Sequence, residues 1–233
     1  MPARRLRATA KSRRPQRLAR APTVKSLTAL IKKTALRVTE TKVRTYSAPQ
    51  SNLVQNEPQI IEQSLTSVPQ GVGDTSRIGD QINVKGLRMR IMIISNVDHP
   101  NLMYKLAVVK TPIINSTVLP YTYNTWFRPI TTVWPLDSFN TDLITVVSTR
   151  SGKIKGSTDY SIETGSSQKE CVNFINWYLP MKDLKVDYST DAGLYPKNFS
   201  YQLMVMAYDT FSTLSIDNVG KVKVAWDIIF KDP

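Results

Sequence analysis

The sequence predicts an all-β protein: an eight-stranded antiparallel jelly roll, meaning a two-sheet sandwich, preceded by a basic N-terminal arm with a short amphipathic helix. Three observations carry that expectation. From residue 58 onward apolar residues recur with period two, as on a half-buried pleated surface. No long amphipathic helix falls between the strand-like runs, which argues against a parallel βαβ sheet. And the net charge of +13 on 233 residues is confined to one end of the chain.

The first 45 residues hold fourteen Lys or Arg and a single acid, Glu40, which leaves residues 46–233 with seventeen bases against seventeen acids. All twenty aromatic residues lie in that second part, beginning at Tyr46. The arm therefore cannot build a core, and the body carries no net field. The change of composition places a boundary near Thr45, giving an arm over 1–45 and a shell of strands over 46–233.

Within the arm, residues 1–22 are rich in Arg, Ala and Pro, a composition that self-repels and lacks apolar bulk, so this part is expected to be disordered in isolation. From Thr23 the pattern changes. Val24, Leu27, Ile31, Ala35 and Val38 recur at helical spacing, Thr23 is placed to cap, and Lys25, Lys32 and Lys33 fall off the apolar stripe, which predicts a helix over about 23–38. The candidate nucleic-acid-binding residues are Arg4, Arg5, Arg7, Lys11, Arg13, Arg14, Arg17, Arg20, Lys25, Lys32, Lys33 and Arg37. Their density suits a polyphosphate, because each neutralised phosphate releases a counterion whatever the base sequence. The pairs Arg4-Arg5 and Arg13-Arg14 also suit a nuclear import receptor. An Arg-rich, acid-poor start fits a mitochondrial transit peptide too, and a solvated tail is the plain alternative.

In the body the clearest strand is the last. Over 219–231, Val222, Val224, Trp226, Ile228 and Phe230 alternate with Lys221, Lys223, Ala225, Asp227 and Ile229. Similar runs lie at 59–65, 87–93, 102–109, 143–149, 153–155, 171–179 and 199–208, rich in Val, Ile, Thr and aromatics. Residues 97–100, Ser151-Gly152, 164–166 and 217–220 read as turns. Eight such strands suggest the jelly roll, the eight-stranded sandwich. Two stretches, 111–142 and 180–198, read as long Pro-, Thr-, Tyr- and Asn-rich connections of the kind that carry contacts.

Much chemistry is excluded. No apolar run is long enough to span a bilayer as a helix, so no membrane insertion is expected. One cysteine, Cys171, precludes an intramolecular disulfide and multi-cysteine metal sites, and is expected to be a small buried hydrophobe. One histidine, His99 in Asp98-His99-Pro100, precludes histidine-clustered metal enzymes on a sandwich and reads as an exposed turn residue. Gly71-Val72-Gly73 lacks the third glycine and following helix of a dinucleotide fingerprint, since Ser76 stands there. Gly152-Lys153 lacks the rest of a P-loop. Asp137, Asp142, Asp183, Asp187 and Asp191 are left as possible ligands of a hard cation. No catalytic residue and no cofactor is expected.

The segment Gln70-Gly71-Val72-Gly73-Asp74-Thr75-Ser76-Arg77-Ile78-Gly79 resembles the Gln-Gly-x-Gly-Asp-x-x-Arg-x-Gly motif near the start of the jelly roll in capsid proteins of small circular Rep-encoding single-stranded DNA (CRESS-DNA) viruses. Related forms occur in capsid proteins of small RNA viruses and plant satellite viruses. Locally, its glycines permit a compact excursion, Asp74 and Arg77 are placed to pair, and Asp80 to cap a turn. The resemblance implies a non-enzymatic coat protein of the virion, self-assembling into an icosahedral T=1 shell of about 60 copies and packaging its genome on the arm. It points to single-stranded DNA rather than RNA, and to passage through the host nucleus. The alternative is a cellular nucleic-acid-binding protein, such as an organellar ribosomal protein with a basic extension. Against it, the body's sequence shows no basic patch interleaved with exposed aromatics.

Overall fold

The computed structural model describes residues 27, 28, 31, 34, 39–96, 99, 101–114, 117–118, 123–128, 136–155, 171–188, 195–209 and 217–232. The chain divides into two compact units, Met1–Val38 and Thr39–Pro233. In the first, Leu27, Thr28, Ile31 and Thr34 are helical, with Leu27 and Ile31 exposed; the rest of the helix expected over 23–38 lies outside the described residues.

The second unit is an antiparallel sandwich. Its elements are β1 (Thr41–Val54), β2 (Gln59–Glu62), β3 (Gln81–Ser95), β4 (Leu102–Ile114), β5 (Thr117–Val118), α1 (Tyr123–Trp126), β6 (Phe127–Arg128), β7 (Ser138–Phe139), β8 (Thr145–Lys153), β9 (Val172–Asp187), β10 (Phe199–Asp209) and β11 (Asn218–Lys231). The described residues thus hold eleven strands rather than eight, three of them only two residues long. One sheet runs β1-β11-β3-β9. In the other, β2-β10-β4 continues to β8 and β5, which both pair with β4. A separate two-stranded ribbon joins β6 and β7.

The core lies between the two large sheets. β3, β9 and β11 send in Leu87, Met89, Ile91, Trp177, Val224, Trp226, Ile228 and Phe230; β4 and β10 answer with Leu106, Val108, Leu203 and Val205. The expected alternation of β11 holds, and the Trp226 ring stacks on Tyr46 of β1 at 5.2 Å between centroids. On β4 and β10 the opposite parity is buried as well. Ala107, Val109, Met204 and Met206 form a second apolar cluster with Trp126 and Phe127, which cover the outer face of that sheet. Burial on both faces explains why residues 203–207 read as an unbroken apolar run.

Several local expectations are corrected. Residues 218–220, read as part of a turn, open β11, and the runs at 143–149 and 153–155 are joined in the single strand β8. Ser151-Gly152 is not a turn but the end of β8, where the Tyr104 ring of β4 occupies the space a Cβ at Gly152 would need. The connection expected from residue 180 begins later, because β9 continues to Asp187 through a bulge at Lys182 and Asp183, both with positive φ. Pro180 is tolerated because β9 is, among the described residues, an edge strand that pairs only with β3. Finally β1, read in part as the end of the arm and otherwise unassigned, begins at Thr41 and pairs along the length of β11.

Candidate functional site

The glycine-containing motif folds into a loop built around Arg77. That side chain is fully buried. Its Nε donates to the carbonyl of Val68 at 3.0 Å and its Nη1 to the carbonyl of Gly79 at 2.6 Å. Its guanidinium lies 4.3 Å from the centroid of the Tyr188 ring. The carboxylate beside it is Asp80, at 3.3 Å, and not Asp74, whose side chain is exposed; the expected Asp74–Arg77 pairing is therefore replaced by an Asp80–Arg77 contact. The reason is register: backbone bonds from Gly71 N to Arg77 O and from Arg77 N to Pro69 O fold the segment so that Arg77 turns inward while residues 72–75 point out. Tyr188 closes the site by donating its hydroxyl to Thr66 O at 2.6 Å, and burial pushes its phenol well above the ordinary range.

Two cations counted with the arm belong to this assembly. Lys42 donates to Ser76 O at 3.1 Å and pairs with Asp232 at 2.8 Å; Arg44 donates to Thr75 O at 3.3 Å. They face inward because β1 alternates, so Tyr46 on the same side donates to Ser67 O at 2.7 Å. The loop thus ties together the first strand, Asp232 just past β11, and Tyr188 just past β9. It offers a fixed scaffold of satisfied backbone groups rather than an open catalytic constellation.

The other expected site residues divide as follows. Arg4, Arg5, Arg7, Lys11, Arg13, Arg14, Arg17, Arg20, Lys25, Lys32, Lys33 and Arg37 all lie outside the described residues, as does Asp191. Asp142 pairs with Arg128 at 2.7 Å, Asp187 with Lys185 at 3.4 Å, and Asp137 is buried with its carbonyl accepting from Lys105. Among the described residues no three His, Cys, Asp or Glu side chains come together to hold a metal ion, and no helix is long and apolar enough to cross a membrane. Cys171 is half-buried against the core. His99 departs from expectation. It is mostly buried, with Nδ1 2.9 Å from Oδ2 of the fully buried Asp209 at the end of β10.

The outer face of the β1-β11-β3-β9 sheet shows a feature the sequence reading denied. Rows across the strands place Asp227, Arg88 and Tyr178 side by side, then Ala225, Arg90 and Asn176, then Lys223, Met92 and Phe174. Arg88, Arg90, Lys223, Phe174 and Tyr178 are all exposed. A basic patch with interleaved aromatics is therefore present on the body. No sequence window contains it because its members come from three strands; the signal available beforehand was the outward parity of β3, β9 and β11 once paired.

No family model matches the chain, and no curated protein is similar to it in sequence. Among solved structures it is similar to a chain of the T13 viral particle of infectious bursal disease virus, with 8% identity and a TM-score of 0.31, over 83% of this chain and 36% of that one. It is similar to the VP2 subviral particle of the same virus, with 11% identity and a TM-score of 0.29, over 83% and 38%. A third similarity is to the Macrobrachium rosenbergii nodavirus, with 10% identity and a TM-score of 0.29, over 99% and 60%. The chain thus spans less than two-thirds of the length of each.

Proposed function

We propose that the chain is a viral coat protein whose body is a jelly roll that assembles into a closed shell and whose arm packages the genome. The observation that carries this is a division of labour. The eight principal strands, ranked in chain order, run 1-8-3-6 in one sheet and 2-7-4-5 in the other, with the three two-residue strands set aside. That order interleaves two Greek keys, as a jelly roll does. The excess charge lies before it: residues 1–38 carry twelve bases and no acid. A nearly neutral body lets copies approach without long-range repulsion, while a cationic extension condenses a polyanion.

The finer assignments follow the motif. Its Arg77-centred loop fits the Gln-Gly-x-Gly-Asp-x-x-Arg-x-Gly segment of CRESS-DNA virus capsid proteins. On that reading the genome is single-stranded DNA, the shell has T=1 symmetry with about 60 copies, and the arm's arginine clusters engage import receptors for assembly in the host nucleus. The arm residues from Arg4 to Arg37 act through charge, so their exact side-chain geometry is unimportant. The test is deletion of residues 1–22. Purified wild-type protein should show a 260/280 nm absorbance ratio dominated by nucleic acid, and the deletion should lose most of it while keeping its β-rich circular dichroism. Equal nucleic-acid content in the two would refute packaging by the arm.

A further inference from the structure

Resting on that reading, we infer that the outer face of the four-stranded sheet is a second nucleic-acid surface, a platform on which Phe174 and Tyr178 stack bases while Arg88, Arg90 and Lys223 hold phosphates. Phe174 is 72% and Tyr178 52% exposed, both on the first half of the long strand β9. They stand on the same face of β9 four residues apart, a span of about 13 Å along a strand. The Tyr178 ring lies across the neighbouring strand: a Cβ on Gly86 would meet its Oη, Cε2 and Cζ at 2.6–2.8 Å. Glycine at that place lets the ring lie down on the sheet instead of standing away from it. Beside Phe174 a groove of about 320 Å³ opens, lined by Ser47, Arg90, Met92, Asn176 and Lys223 among others. That volume is within the range of small-ligand clefts.

Charge selects the occupant. The carboxylate in these rows, Asp227, is buried and already accepts from Thr45 and from Arg90, each at 2.8 Å. The exposed charged members of the patch are cations: Arg88, Lys223 and Arg90, the last shared with Asp227. Two copies of this face brought together about a two-fold axis would set Arg88, Arg90 and Lys223 against their own images, which disfavours self-pairing. A single-stranded nucleic acid satisfies both halves of the patch. Its phosphates meet the cations, and its unpaired bases offer π-faces to the rings, a contact that tolerates any sequence. A duplex has no free base faces to offer.

The test uses the full chain and a fluorescein-labelled 20-mer of deoxythymidine, with anisotropy read at about 0.5 M salt, where counterion release contributes least. Phe174→Leu with Tyr178→Leu keeps charge and apolar bulk but removes both rings. Single-strand affinity should fall about tenfold or more, while affinity for a duplex of equal length stays within twofold. Should the double variant fail to fold, Phe174→Leu alone, at an open surface position, carries the same test with a smaller loss. Single-strand binding within twofold of wild type overturns the inference, as does loss of particle assembly with binding intact, which would make the face a contact between copies. If the unaltered chain binds no oligonucleotide at any salt, packaging by the arm falls as well; if only the variant result fails, the arm's role stands.

Discussion

Replacing Arg77 by alanine removes the buried side chain that joins the two ends of the motif loop, leaving the exposed Gln70 amide on Ile78 O as the other cross-loop side-chain bond. Three losses follow. The carbonyl of Val68, buried in the core, loses the donor at 3.0 Å, and that of Gly79 loses the donor at 2.6 Å. The stacking of the guanidinium over Tyr188 at 4.3 Å also disappears. A buried acceptor left without a partner costs about 1–3 kcal/mol, and a desolvated cation–π contact about 2 kcal/mol. The salt contact to Asp80 adds little, because that carboxylate is half-exposed. The expected loss is about 3–5 kcal/mol, in line with removal of one partner from a buried charged network. With a urea slope of about 2 kcal/mol per molar, the unfolding midpoint of the soluble full-length chain should drop by about 2 M. Arg77→Lys should recover part of this, since an ammonium keeps the charge but cannot serve both carbonyls in the same fork geometry. Asp74→Ala, at an exposed position without a structural partner in the loop, should stay within about 0.5 kcal/mol. Near-neutral behaviour of Arg77→Ala would refute the idea that the motif is held from its buried arginine.

Trp226→Ala should cost about 3–5 kcal/mol by emptying the core beside Tyr46, whereas Lys223→Gln on the opposite parity should change the unfolding free energy by less than about 0.5 kcal/mol. Gly152→Val should destabilise by about 1–3 kcal/mol through collision with the Tyr104 ring, measured in the same assay. Stability should also fall at alkaline pH. Burial raises the folded-state pKa of Tyr188 above its ordinary value of 10.0, so its contribution is complete below about pH 10 and is lost as pH climbs beyond it, when the unfolded chain gives up the proton first. Tyr188→Phe should flatten that decline, and an unchanged slope in the variant would contradict the assignment.

What the sequence made legible depended on how each strand is buried. β11 has one wet face and one dry one, so its alternation stands out, and the runs 102–109 and 199–208 are visible because their segments 106–109 and 203–207 are apolar on both. β1 is not. Its inward row is Lys42, Arg44, Tyr46 and Ala48, and its outward row Thr41, Val43, Thr45 and Ser47, so polarity does not separate the faces. Lys42 and Arg44 point inward because the motif loop and Asp232 supply their partners, a long-range fact no local window holds. Gly152 imitated a turn because the same small residue serves a close ring contact. His99 was placed in its turn, but its partner Asp209 stands 110 residues away. The motif was legible as a loop, while the choice of Asp80 over Asp74 depended on backbone pairing. The basic aromatic face was hidden for the same reason as β1: neighbours on a sheet are distant along the chain.

Electron microscopy of the purified full-length protein tests the central claim most directly. A coat protein should yield closed particles of uniform diameter with icosahedral symmetry in their averages, filled when the arm is present and largely emptied when residues 1–22 are deleted. A monodisperse 26.3 kDa monomer that binds nucleic acid yet forms no shell at any protein concentration or salt would contradict it.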